Sequence, residues 1–454
     1  MKRARELAYG FLTCMGRVTI TGMLISIGKQ FRDWTAAYRL FWGSRMDMDK
    51  LFEVSTQACL DELLPSQMIV MHMDDTVIRK TGKTIPGTGW KRDPLGPAFH
   101  TNFIWAQRFI QTTLSLYGNE FNSQSKSIPI DFFHCPSVKK PNKKATQEDI
   151  DSYKEQKKKI NLSVQGLERI KAMRKRIDTM GSKDRELFLC VDGSYTNTTV
   201  LKGLPDHVTL IGRIRKDAKF NYPPETLKTK GRNKVYGEAL PTPDEIRKDE
   251  SIPWKKVKGW AAGKVHEFKV KIVKGIKWRK AGKGHLMQLV IIAPLGYRKK
   301  EGGKLLYRQP AFLICTDNNL DIAKLLQAYL WRWEIEVNNR EEKTTSGCGQ
   351  AQVRNKDATY KAPQFGVAMH SLLQLAQYKY QKTENKVYLP KAKWEKRNAN
   401  KRQSTNNLSN LFRGYYWNEN NPKSFSHFVS NQQEIAKHKN PIVSPVNAIF
   451  YQRK

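Results

Sequence analysis

One run near the C-terminal third, AYLWRWEIEVNNREEK, constrains this chain most tightly. It sets Tyr329, Arg332, Glu336 and Lys343 at offsets of 0, 3, 7 and 14. On an α-helix, at about 100° per residue, these positions fall within an arc of roughly 60°. A phenol, a guanidinium, a carboxylate and an ammonium then share one stripe. One acid among several donors suits metal-assisted chemistry on phosphate better than it suits an ordinary solvated face. Glu334, Glu341 and Glu342 lie off the stripe.

Two apolar runs also end in acids. QMIVMHMDDT leads into Asp74 and Asp75, and ELFLCVDGS leads into Asp192. Mostly apolar runs of this length read as buried strands. Alternation along a strand sends Asp74 and Asp75 to opposite sides, so only one can serve a given site. The segments HTNFIWAQ and TTLSLYG read as further strands of a meander, and VTLIGRIRK and PAFLICTD as two more. Asp317, Asn318 or Asn319 is placed to cap the helix that carries the stripe, and Gly347 to stop it.

Charge narrows the partner. The chain has 454 residues with 80 Lys+Arg against 42 Asp+Glu, a net charge of +38. So large an excess points to a polyanion, with nucleic acid ahead of an anionic membrane surface. No stretch carries 18 uninterrupted apolar residues, which argues against a membrane span. The basic start MKRARELAYGFLTCMGRV is a poor signal peptide, because Glu6, Gly10 and Thr13 interrupt its apolar stretch. Six cysteines are scattered at 14, 59, 135, 190, 315 and 348 with no CxxC pair. Structural zinc and a disulfide framework are therefore not expected, and a reducing cytoplasm fits.

The chain divides by composition. Residues 1–65 read as a helical domain with interleaved basic and aromatic residues, either a bundle whose aromatics form its core or, given the overall charge, a DNA-binding domain. Residues 66–215 hold the first part of a catalytic core, with a lysine-rich exposed insertion at 139–159. Residues 216–309 read as a mostly β insertion containing Trp254, Trp260 and Trp278. Residues 310–384 return to the core with the stripe helix, and 385–454 form a basic extension. The class is α/β (α+β). Asp75, Asp192 and Glu336 form the natural metal-binding set, since hard cations such as Mg²⁺ prefer oxygen ligands and two ions can stabilise an in-line phosphoryl displacement.

These motifs resemble the DDE transposases of bacterial insertion sequences that carry a Y-R-E-K signature. YLWRWEIEVNNREEK matches Y-x-x-R-x-x-x-E-x-x-x-x-x-x-K at all four positions, and DDT and VDGSY resemble the first- and second-acid motifs. TGMLISIG and the helices after it resemble the family's N-terminal DNA-binding region. The likeness covers about residues 15 to 380. It implies a ribonuclease-H-like mixed sheet flanked by helices and interrupted by a β-strand insertion. It assigns the first acid to the Asp directly before Thr, which is Asp75, and the others to Asp192 and Glu336.

The implied activity is cut-and-paste transposition. Mg²⁺, two ions per site and replaceable by Mn²⁺, would support hydrolysis at the transposon ends. The freed 3′-hydroxyl would then be transferred to target DNA, commonly through a hairpin. The implied partners are double-stranded terminal repeats and target DNA, held by a homodimer at the nucleoid. Tyr329, Arg332 and Lys343 are implied to grip end phosphates. One of Trp254, Trp260 and Trp278 is implied to stack on a flipped base. The competing class is a catalytically inactive, transposase-derived DNA-binding protein, which would not need three intact acids.

Overall fold

The computed structural model describes residues 2–29, 33–97, 99–142, 144–225, 233–281, 286–299, 302–382 and 404–420. The chain divides into two compact units, Thr56–Asn338 and a second made of Met1–Ser55 with Asn339–Lys454.

The second unit begins with α1 (Lys2–Thr13), α2 (Ile20–Ser26) and α3 (Thr35–Arg39), and α4 (Met48–Glu62) leaves it. Thr19 caps α2 by accepting from the Gly22 amide. Gly10 lets α1 and α2 touch, because a Cβ there would sit 2.4 Å from the Met23 carbonyl oxygen.

The unit Thr56–Asn338 is built on a ten-stranded mixed sheet. β1 (Ile69–Arg79) lies at its heart. It pairs antiparallel with β3 (Phe103–Tyr117), which in turn pairs with β2 (Gly89–Arg92) and β4 (Ser125–Cys135). On its other side β1 runs parallel to β5 (Leu187–Val191), and β5 runs parallel to β6 (Val208–Arg213). The order β4-β3-β1-β5-β6 is a meander of three strands followed by two strands parallel to the first, the ribonuclease-H-like arrangement. The two segments expected as separate strands, HTNFIWAQ and TTLSLYG, are one continuous β3. The linking residues Arg108 to Gln111 pair with both neighbours, and Phe109, Ile110 and Gln111 are fully buried, so nothing ends the strand there.

α5 (Gln147–Lys159) is the lysine-rich insertion. It is a helix with no buried residue, started by a capping box between Thr146 and Asp149. α6 (Leu162–Ile177) then makes the crossover to β5, buries Leu167, Ile170, Met173 and Ile177, and is anchored by a fork-to-fork ion pair. Arg169 Nε and Nη2 each donate to an Asp131 carboxylate oxygen on β4 at 2.7 Å. α7 (Thr198–Lys202) connects β5 to β6.

The region 216–309 contributes a short helix α8 (Pro243–Lys248) and strands β7 (Lys255–Ala261), β8 (Lys264–Ile276) and β9 (Met287–Ile292). These strands extend the main sheet in the order β12-β9-β8-β7, where β12 (Ala311–Cys315) also pairs with β6. β10 (Gly296–Arg298) and β11 (Leu305–Tyr307) form a separate ribbon.

The stripe expected on one helix is divided between two. α9 (Ile322–Trp331) ends one residue before Arg332, and α10 (Trp333–Thr344) begins one residue after it. At the joint the hydrogen bonds tighten to a three-residue spacing. Arg332 N donates to the Tyr329 carbonyl, and Ile335 N to that of Arg332, both at 3.1 Å. The cap also differs from expectation. Asp321 caps α9, accepting from Ala323 N and Lys324 N. Asp317 instead accepts from Asn319 N, and Asn318 from Gly275 N.

Past α10 the chain belongs to the other unit, with α11 (Ala358–Lys382) and α12 (Thr405–Asn420). Phe365 of α11 meets Phe11 and Phe41 edge-on, and Tyr9 of α1 stacks on Tyr416 at 4.9 Å. Most of the extension expected at 385–454 lies outside the described residues. All six cysteines are buried, and none is joined in a disulfide among the described residues.

The Arg169–Asp131 pair is almost completely buried, so removing one partner strands the other charge. Asp131→Ala should cost about 3–5 kcal/mol in urea unfolding, and Asp131→Leu with Arg169→Leu should recover most of it.

Candidate active site

Parallel pairing of β1 and β5 brings two acids together. The register places Met73 opposite Val191, so the next residues stand at the same level, Asp74 within β1 and Asp192 just past the end of β5. Asp192 closes a tight turn, accepting from Ser194 N at 2.9 Å and Ser194 Oγ at 3.2 Å.

The two acids of DDT face different neighbours. Asp74 Oδ2 is 3.3 Å from Arg332 Nη1, and Arg332 Nη2 donates to Glu336 Oε1 at 2.6 Å. One guanidinium thus bridges Asp74 and Glu336. The Arg332 side chain is only 13% exposed and its charged end lies 5.9 Å from the Tyr329 ring centroid. Asp75 pairs with Arg108 of β3 at 3.3 Å. The sequence-derived set is therefore gathered in part. Asp192 neighbours both β1 acids, while Glu336 is linked to Asp74.

The electrostatics follow. Burial and then repulsion from Asp192 push the Asp74 carboxyl up to about 7. Burial also raises Asp75, with Arg108 opposing the shift. Burial disfavours the charge on Arg332, but Tyr329, Asp74 and Glu336 outweigh it and its pKa rises. Burial raises the Tyr329 phenol, again opposed by Arg332. Lys343, on α10, is lowered by burial and partly restored by Glu342.

Several neighbours were not singled out from the sequence. His72 shares Asp74's side of β1, is fully buried, and has Nε2 2.8 Å from Ser115 Oγ. Tyr195 of the VDGSY motif is fully buried, and its hydroxyl has no hydrogen-bond partner among the described residues. Its ring occupies the space left by Gly166 on α6, where a Cβ would lie 2.7 Å away. Asp75, Asp74 and Asp192 all act on this phenol, and with burial they raise its pKa well above the ordinary value. The only sequence sign of Tyr195 was its place three residues after an acid.

The three tryptophans differ. Trp278 is 4% exposed and packs against Phe220. The Trp254 ring lies 4.7 Å from the Lys271 ammonium. Trp260 is tied to α9 through Gln327, which accepts from its amide at 2.6 Å and donates to its carbonyl at 3.2 Å.

A family model described as DDE superfamily endonuclease matches residues 1–285. The chain belongs to that family. No curated protein gives a significant match. The matched region holds Asp74, Asp75 and Asp192 and stops before Glu336. DDE endonucleases generally use divalent metal ions and act on DNA. The carboxylate oxygens here suit a hard divalent ion by chemistry. Their arrangement does not yet make a site, since among the described residues no three of His, Cys, Asp and Glu converge to hold a metal. No helix of the described residues is long and apolar enough to cross a membrane.

Beside Asp75 the DDE endonuclease sheet carries cations. Lys80 is lowered to about 8 by burial, and Lys91 is lowered by burial and then Arg108. His134 of β4 is lowered from 6.5 to about 4 by burial and then by Lys91 and Lys80. Its folded pKa lies below its unfolded one, so its contribution is complete above about pH 6.5 and is lost as pH falls through about 4. Thermal unfolding of His134→Phe should lack this slope, a difference on the order of 1–3 kcal/mol across that window.

Proposed function

We propose that this DDE endonuclease is an insertion-sequence transposase of the Y-R-E-K group that moves DNA by cut and paste. The observation that carries the reading is the meeting of Asp74, inside β1, with Asp192, just past the end of the parallel β5, and the joining of Glu336 to Asp74 through Arg332. Phosphodiester chemistry needs such a concentration of carboxylates on a strongly basic protein.

In this reading Asp74, Asp192 and Glu336 would hold two Mg²⁺ ions, or Mn²⁺ in their place. When bound, such ions activate water and stabilise the attacking and leaving oxygens of an in-line displacement. Asp74 takes the role that the DDT motif suggests for Asp75. The support is its link to Glu336, whereas Asp75 is paired to Arg108. Asp75 then holds Arg108 and shapes the field at the strand end. His72 and Tyr195 wall the acids with buried polar groups on opposite sides of β1.

Arg332 offers a planar fork to phosphate oxygens, and Lys343 a point charge. Tyr329 orients that fork. The helices of 1–65 bind the terminal repeats, and the exposed lysines of α5 add backbone contacts that carry no sequence information. Trp260 and Trp254 are the candidates for stacking on a flipped base, a contact worth about 1–3 kcal/mol. Trp278 serves the core. A homodimer holds two ends, and the 3′-hydroxyls released by hydrolysis attack target DNA.

Terminal-repeat duplex incubated with Mg²⁺ or Mn²⁺ should be cut at the transposon end. Asp74→Asn, Asp192→Asn and Glu336→Gln should abolish cutting. Asp75→Asn should lose only the roughly 10–100-fold typical of a group that supports a ligand. If Asp75→Asn is dead and Asp74→Asn cuts normally, the assignment between the two reverses.

Duplex affinity should fall steeply with salt. With 6–10 phosphate contacts, binding should drop about 10³–10⁵-fold between 50 and 200 mM, as read by fluorescence anisotropy.

A further inference from the structure

We infer that Arg332 closes the divalent-metal site while no DNA is bound, occupying the place of the cation it must later make way for. The inference rests on the function proposed above and concerns how its site is switched on.

Each terminal nitrogen of Arg332 is committed to a different acid, Nη1 to Asp74 and Nη2 to Glu336. The carboxylate oxygens a metal would need face a guanidinium instead. Among the described residues, no three acidic, histidine or cysteine groups converge to hold an ion. Arginine cannot clear the site by losing its proton, as a lysine might. A divalent ion and a buried guanidinium therefore compete for the same pair of carboxylates, and the guanidinium has to move.

The structure supplies both a place to move from and a reason. Arg332 lies at the joint between α9 and α10, where the backbone tightens for one turn, so its side chain belongs fully to neither helix. A phosphate of bound DNA offers the same two-pronged acceptor as the acids it now holds. Phosphate capture of Arg332 would free Asp74 and Glu336 together. Metal binding is thereby coupled to DNA binding, and the DNA-free enzyme is protected from loading an active metal site. The coupling is reciprocal, so metal should also strengthen the hold on DNA.

The test is Mn²⁺ binding to the full, DNA-free chain, followed by the loss of the free-ion signal in electron paramagnetic resonance. Arg332→Gln should bind Mn²⁺ about tenfold or more tightly than the parent, within the usual range of coupling between sites. Adding Asp74→Asn should remove that gain. Arg332→Lys, whose single ammonium cannot hold both acids, should give a smaller gain and covers the case in which the glutamine variant fails to fold. Asp192→Asn should abolish binding in either background. If Asp192→Asn abolishes binding but neither Arg332 variant tightens it, the gating role is wrong and the metal site stands. If Asp192→Asn binds as the parent does, the metal-site reading itself has failed. Absence of binding in every variant would overturn the inference as well.

Discussion

The parallel pairing of β1 with β5 is the constraint on which the rest of the site depends. Strands joined in this way must be connected by a crossover, and α6 provides it. The pairing stops where β5 ends while β1 runs on to Arg79, so Asp74 inside β1 and Asp192 just past β5 lie side by side. Two carboxylates at that spacing repel each other, and burial worsens the repulsion. The sheet can hold them because it is secured elsewhere, by a fully apolar β5 and by the buried Arg169–Asp131 fork between α6 and β4.

That stored repulsion gives the strand end its chemistry. Asp74 is raised toward neutrality by burial and by Asp192, and it is relieved by Arg332. Arg332 also reaches Glu336, so a single side chain balances charge contributed by a strand and a helix. The opposite side of β1 is arranged differently. There Asp75 is balanced by Arg108 and Lys91 and lies near the buried phenol of Tyr195, which also feels Asp74 and Asp192. The two adjacent acids of DDT thus have different cationic partners, Arg332 for Asp74 and Arg108 for Asp75, and share the repulsion of Asp192.

Much of this was legible from residue order. The runs before Asp74 and Asp192 read as buried strands because apolar residues fill both faces, and they are strands. The lysine-rich stretch at 139–159 read as exposed, and α5 buries nothing. Other features were not legible. Nothing between the two halves of β3 could say that pairing with β1 and β4 would carry the strand through. The cap of α9 fell to Asp321 because cap choice depends on where the preceding loop turns, and Asp317 and Asn318 were already used by that loop. The stripe of Tyr329, Arg332, Glu336 and Lys343 assumed one straight helix, whereas the backbone tightens at Arg332.

By itself the sequence determined the class of the protein: a basic chain with acids at the ends of buried strands and a helical run of phosphate-seeking groups. Those properties are local, being set by apolar runs, charge count and spacing. Only the tertiary structure decided which acid of DDT keeps company with Glu336. Alternation along β1 guarantees that Asp74 and Asp75 face opposite ways, but it cannot say which way α10 lies. That depends on how α9, anchored through Gln327 to β7, delivers the chain back to the sheet. The helix returned on the side of Asp74, and Arg332 closed the gap between them.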